Sequence, residues 1–202
     1  MSNMVIDTLW DDNPIDVSTE VNFIWKIANK LRGTYQSDKY KDVIIPMVII
    51  RRFECALADT KKAVVDTFKK NPNYPAKAMY RISKRQFYNT SEFTLAELVN
   101  DSDHIAANFR NYISGFSANV QDIIKSLDFD KQIEKMDKNN RLLSVVKAFS
   151  ELDLNPVTID NVKMGYIFED LIRRFSENAE AGDHYTGRDI IKLMVNILLA
   201  EG

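Results

Sequence analysis

Residues 43–50, Val-Ile-Ile-Pro-Met-Val-Ile-Ile, are apolar at every position, with Lys41 and Asp42 before them and Arg51 and Arg52 after. A run of eight residues that includes a proline falls far short of the ~20 apolar residues needed to span a bilayer. On a helix it has no polar face and must be enclosed on every side. It predicts the central helix of a core, opened by Ser37 or Asp38 and continuing to about Lys70. Pro46 is tolerable in the first turns of that element and kinks it otherwise.

The enclosing faces have a helical period. Val21, Ile24, Trp25, Ile27, Ala28 and Leu31 share one face, with Ser18 or Thr19 to cap the start and Gly33 to end it. Thr94-Leu95-Ala96-Glu97 has capping-box spacing for a short helix. Residues 103–114, stopped by Gly115, bring Ile105, Phe109, Tyr112 and Ile113 together, and 117–127, 130–136 and 140–151 continue the pattern. Asn71-Pro72-Asn73-Tyr74-Pro75 reads as a loop and Leu154-Asn155-Pro156 as a break, after which Asp160 or Asn161 caps a helix to Phe175. Residues 79–83 are compatible with one short strand, and no other period-2 run stands out. The expected fold class is all-α, with about nine helices.

At 202 residues the chain has room for one domain, or one and a fraction. The single Cys55 excludes a disulfide framework and reads as a buried, reduced thiol. Residues 1–16 are acidic and lack the apolar stretch of a signal peptide, so the expected location is the cytoplasm, without membrane association.

Net charge is −2, which argues against a generic nucleic-acid coat protein. Yet residues 51–85 hold ten basic and three acidic side chains, against 17 and 26 elsewhere. Lys61, Lys62, Lys69, Lys70, Arg81, Lys84 and Arg85 are the candidates for a surface that tracks phosphates or an acidic partner. The plainer alternative is a solvated helix face. His104 and His184 are the only histidines, and with one cysteine there is no zinc-ligand spacing. His104 follows Asp101 and Asp103 at a helix start and reads as a surface residue. No nucleophile elbow, P-loop or dinucleotide fingerprint occurs.

The segment from Ala181 to Val195 is a tight turn, Gly182-Asp183-His184-Tyr185, leading into a helix that Thr186 can cap, with Asp189 three places on. Upstream stands Gly165-Tyr166-Ile167-Phe168-Glu169-Asp170-Leu171-Ile172-Arg173-Arg174-Phe175. Together these resemble the modification subunit of type I restriction–modification systems, which reads G-x-x-(Y/F)-E-x-L-(I/L)-x-x-F and then A-G-E-(F/Y)-(Y/F)-T-P-R. The N-terminal third is similar to the same family through Phe23-Ile24-Trp25-Lys26-Ile27-Ala28-Asn29-Lys30-Leu31-Arg32-Gly33 and Tyr40-Lys41-Asp42-Val43-Ile44-Ile45-Pro46. From about Asn71 to Leu154 the likeness is only in being helical. Gly187 stands where the family has proline; glycine can adopt proline's φ without enforcing it, so the helix start is less rigid.

The resemblance implies an N6-adenine-specific DNA methyltransferase that uses S-adenosyl-L-methionine, with a helical N-terminal domain over residues 1–158 and the entry into the methyltransferase domain over 159–202. It implies that Asp183, His184, Tyr185, Thr186, Gly187 and Arg188 line the cofactor pocket. Neither the Gly-rich turn of the Rossmann-like sheet nor the catalytic (N/D)-P-P-(Y/F) occurs in the 202 residues. By themselves they are therefore expected to be inactive and to bind no cofactor. Asn71-Pro72-Asn73-Tyr74 lacks the second proline and precedes the place where the family has its catalytic loop. The implied partners are double-stranded DNA, a specificity subunit and a restriction subunit, with homodimer contacts also open. Two other classes remain: a stand-alone, non-catalytic helical partner-binding module, and an unrelated helical DNA-binding regulator.

Overall fold

The computed structural model describes residues 15–177. The first helix, α1 (Ser18–Ala28), is capped from outside: Asp16 Oδ1 accepts the Ser18 N–H at 2.8 Å. Ser18 and Thr19, expected as caps, lie inside the helix. A carboxylate two residues upstream reaches the free N–H and adds a charge that the helix's positive end favours. Val21, Ile24, Ile27 and Ala28 are buried, and a 3-10 turn, Asn29–Leu31, extends the helix. Gly33, at φ +85°, then reverses the chain, and the Leu31 carbonyl accepts from both Thr34 and Tyr35.

A second 3-10 turn, Ser37–Lys39, precedes α2 (Lys41–Leu57). As its composition requires, α2 is central: Val43, Ile44, Met47, Val48 and Ile50 are fully buried. Pro46 sits within the helix, which runs on through it. The long element expected to reach Lys70 instead breaks at residues 58–60, where the Leu57 carbonyl accepts from the Thr60 N–H at 2.9 Å. The chain resumes as α3 (Lys61–Lys70), whose Val64 and Val65 are buried, and after the loop at 71–75 as α4 (Ala76–Ser83). Residues 79–83 are thus helical rather than a strand. Met79 and Ser83, about one turn apart, are buried while Arg81 between them is exposed; a helix allows this, whereas a strand would put all three on one face.

An irregular stretch follows, tied to Gly115 by Thr90 N–H donation to the Gly115 carbonyl at 2.8 Å. Then come α5 (Leu95–Leu98), α6 (Ile105–Ser114), α7 (Ala118–Ser126), α8 (Phe129–Lys138), α9 (Leu142–Ser150) and α10 (Asn161–Glu177). The expected capping box closes α5: Thr94 Oγ1 accepts from Glu97 N–H, and Glu97 Oε2 accepts from Thr94 N–H. Asp160 Oδ1 caps α10 through the Lys163 N–H at 2.7 Å. Ten α-helices and no named strand occur among the described residues, an all-α fold. One of the expected nine, the helix starting at Thr186, lies outside the described residues; the other eight become ten through the break at 58–60 and the addition of α4.

The core is aromatic at its centre, where Phe109 meets Phe129 edge-on at 6.1 Å and Tyr112 meets Phe116 at 5.3 Å. Ile159, Met164, Ile167, Leu171 and Phe175 belong to the same hydrophobic core, and the Trp25 and Phe175 rings lie 5.4 Å apart. Gly115 has a packing reason to be glycine: an added Cβ would lie 2.6 Å from the Ser91 nitrogen and 2.7 Å from Asn89 Oδ1.

Candidate functional site

The ten basic residues of the 51–85 segment divide into two sets. Three turn inward. Arg51 pairs with Glu54 and donates through Nε to the Leu152 carbonyl at 2.6 Å. Arg52 donates to the Leu154 carbonyl at 2.8 Å, the Ile159 carbonyl at 2.6 Å and Asn161 Oδ1 at 3.0 Å. It staples the 152–161 connection onto α2. Lys61, the first residue of α3, points into a cavity and donates to Asn89 Oδ1 at 3.0 Å, with its Nζ 5.4 Å from the centre of the Tyr112 ring. Burial pulls the Lys61 ammonium down to about 8 against the opposing pull of Glu54 and Glu97.

The outward set forms a basic face across α3, the 71–75 loop and α4. Lys62 bridges to Asp66 at 2.8 Å and Lys69 to Glu92 at 2.8 Å, both in solvent. Lys70, Lys77, Arg81, Lys84 and Arg85 are exposed, with Arg85 Nε 3.4 Å from the Ala56 carbonyl. Tyr74 and the Tyr80–Tyr88 ring pair, 5.3 Å apart, are interleaved with these charges. Exposed ion pairs of this kind contribute about 0–1 kcal/mol, so an incoming phosphate can displace them at little cost. The exposed positive charge can hold a nucleic-acid backbone or an acidic protein surface.

Of the other residues singled out in the sequence, Asp183, His184, Tyr185, Thr186, Gly187 and Arg188 lie outside the described residues. His104 is exposed, its Nδ1 3.0 Å from Asp101 Oδ1. No group of three or more potential metal ligands occurs among the described residues. In the 71–74 loop Asn71 Oδ1 accepts the Asn73 N–H at 3.1 Å, so its side chain is used to close its own turn. Cys55 is a free thiol that packs against the core but is half-buried rather than fully enclosed as expected, because it also borders the cavity. No helix among the described residues is long and apolar enough to cross a membrane.

A buried polar cluster around Glu54 and Asn89 is not apparent in the sequence. Glu54 accepts from Arg51, from the Tyr112 hydroxyl at 2.9 Å and from the Leu95 N–H at 2.7 Å. Asn89 donates to the Tyr112 carbonyl at 3.0 Å and accepts from the Ser91 N–H at 2.8 Å. These partners come from four separate stretches of chain, and no spacing rule connects them. The one signal is a glutamate three residues after Arg51 near the end of α2, close enough on the helix to pair with it.

The helical architecture defines the class, an all-α domain with a local excess of exposed basic residues over 62–85. Residues 21–149 match the HsdM N-terminal domain family, and the chain belongs to that family. It is also similar to the type I restriction enzyme MjaIX methylase subunit of Methanocaldococcus jannaschii, at 21% identity over 202 residues. That alignment covers 90% of this chain and 35% of the archaeal subunit, so the chain spans about a third of its relative's length.

Proposed function

We propose that this chain is the N-terminal part of the modification subunit of a type I restriction–modification system, an adenine-N6-specific DNA methyltransferase in its complete form. The match of residues 21–149 to the HsdM N-terminal domain family carries this reading. The methyl donor is S-adenosyl-L-methionine. Residues 159–202 form the entry into the methyltransferase domain, and Asp183, His184, Tyr185, Thr186, Gly187 and Arg188 line the cofactor pocket. The helical domain helps close the assembled complex around DNA and contacts the specificity subunit, which reads the sequence. A domain in that position needs charge rather than base-specific groups, which agrees with the outward lysines and arginines of α3 and α4.

Lys61 points inward and is no part of that exposed surface. Lys62→Glu, Lys69→Glu and Lys70→Glu, combined in the assembled complex with Lys61 left intact, weaken DNA binding without regard to sequence. The slope of log affinity against log salt becomes shallower by about one for each phosphate that is no longer neutralised. Unchanged affinity and slope would remove DNA from the reading and leave an acidic partner or solvent opposite this face. The cofactor part is tested by calorimetry on a longer form that carries the coding sequence after Gly202. Tyr185→Ala or Thr186→Ala abolishes S-adenosylmethionine binding there; retained binding refutes the assignment.

A further inference from the structure

A cavity of about 440 Å³ opens between α2, the start of α3, α6 and the loops near Thr94 and Asn155. This is within the size range of small-molecule sites. Its hydrogen-bonding capacity is lopsided. The Glu54 carboxylate is committed to Arg51, Tyr112 and the Leu95 N–H. Asn89 uses its oxygen for Lys61 and Ser91 and its amide for the Tyr112 carbonyl. At the rim, Asp153 accepts from the Asn155 N–H at 2.9 Å and from Thr158 Oγ1 at 3.1 Å. The acceptors are thus largely engaged inside the protein.

The main unspent group is a donor. Lys61 has three N–H bonds, and its hydrogen bond goes to a neutral amide rather than to a carboxylate. It opens a helix that has no side-chain cap and no acidic residue in its first turn, so the local field is positive as well. Leu57, Ala58 and Ala96 add apolar lining around it. With Arg51 paired to Glu54, Lys61 is the lining cation that has no carboxylate hydrogen-bonded to it, and beside apolar walls it fits one negative charge attached to an apolar body. The nearby Glu54 and Asp153 carboxylates disfavour a second charge.

We propose that this cavity binds a small organic monocarboxylate, with its charged end on Lys61 and its apolar body against Leu57, Ala58 and Ala96. The site is separate from the outward basic face, and it stands or falls independently of DNA binding. Because burial holds Lys61 at about 8, a bound anion draws a proton onto it. The other titratable groups around it are Arg51 and Glu54 from α2, Glu97 from α5, Asp153 after α9, and the Tyr112 hydroxyl and Cys55 thiol, both of which burial pushes upward.

The test is calorimetric titration of the 202-residue chain with sodium benzoate, its uncharged counterpart benzamide, and inorganic phosphate. Benzoate binds saturably with one site per chain, and benzamide and phosphate bind at least about tenfold more weakly. Raising the pH from 7 to 9 weakens benzoate about tenfold as Lys61 loses its proton, following the population of the charged form. Lys61→Gln abolishes binding, and Lys61→Arg retains it within about threefold. Should Lys61→Gln unfold the chain, Ala96→Leu decides, since it fills the cavity from an exposed position and leaves the charge in place. Equal binding of benzoate and benzamide, no saturable benzoate binding, or undiminished binding in Ala96→Leu overturns the proposal.

Discussion

Replacing Glu54 by alanine removes one acceptor group from three donors at once. The Glu54 and Arg51 side chains retain only 13% and 16% of their exposure, so their ion pair lies close to the buried limit. Breaking a fully buried pair costs about 3–5 kcal/mol, because the surviving charge is left without a partner. Residual solvent contact, and the bond Arg51 keeps to the Leu152 carbonyl, place this pair at the low end, about 3 kcal/mol. The Tyr112 hydroxyl, on a side chain 1% exposed, is stranded as well, which adds ~1 kcal/mol. The expected total is about 4 kcal/mol, a large share of the ~5–15 kcal/mol that holds a domain folded. In urea, with a slope of about 2 kcal/mol/M, the midpoint of unfolding falls by about 2 M. Glu54→Gln, which still accepts from Tyr112 and Leu95, costs roughly half as much, and Tyr112→Phe costs ~1 kcal/mol. The double-mutant cycle of Glu54→Ala with Tyr112→Phe then shows a coupling of at least ~0.5 kcal/mol. A loss under ~1 kcal/mol for Glu54→Ala, or additive single effects, would show that this carboxylate does not organise the surrounding loops.

Gly115→Ala forces a Cβ to within 2.6 Å of the Ser91 backbone and, since no rotamer change relieves it, lowers stability by ~2–3 kcal/mol. The melting temperature should fall by about 5–10 °C, and a change below ~2 °C would contradict the packing argument. Arg52→Met releases the 152–161 connection, so the amides of Thr158 and Ile159, bonded to the Asn155 carbonyl, exchange with deuterium at least about tenfold faster. Unchanged protection would show that the loop holds itself. The Lys61 ammonium is held at about 8, below its usual 10.5, so between those values the unfolded chain binds more protons than the folded one. Stability relative to Lys61→Met therefore rises as pH goes from 8 toward 10, by about 1–3 kcal/mol after allowance for partial exposure. A flat difference across that interval would place Lys61 in solvent.

The helices are legible because burial on a helix leaves a period, and α2 most of all because its apolar run leaves no alternative. The break at 58–60 is not, for a physical reason. Leu57, Lys61, Val64, Val65 and Phe68 keep helical spacing straight across it, and no glycine or proline marks the turn. The same stripe holds a subtler clue: Lys61 occupies an apolar position and therefore points inward, which separates it from Lys62 and Lys69. Residues 79–83 mislead because five residues are too few to tell period 2 from period 3.6. The Glu54 and Asn89 contacts depend on tertiary approach alone, so local pattern carries no trace of them.

The attachment of α10 has a mechanical consequence. Its 17 residues make a rod about 25 Å long. The connection into it is pinned by Arg52, its first turns by the Lys163–Glu20 bridge at 2.7 Å, and its far end by Phe175 against Trp25. Fixed at both ends and seated along its length by Ile167 and Leu171, the rod cannot pivot about the Asn155-Pro156 break without first unseating core side chains. A pull applied to the chain beyond it therefore acts as shear along a packed interface instead of bending a hinge. Force and orientation pass into α1 and α2, and α10 itself keeps a fixed heading on the helical domain.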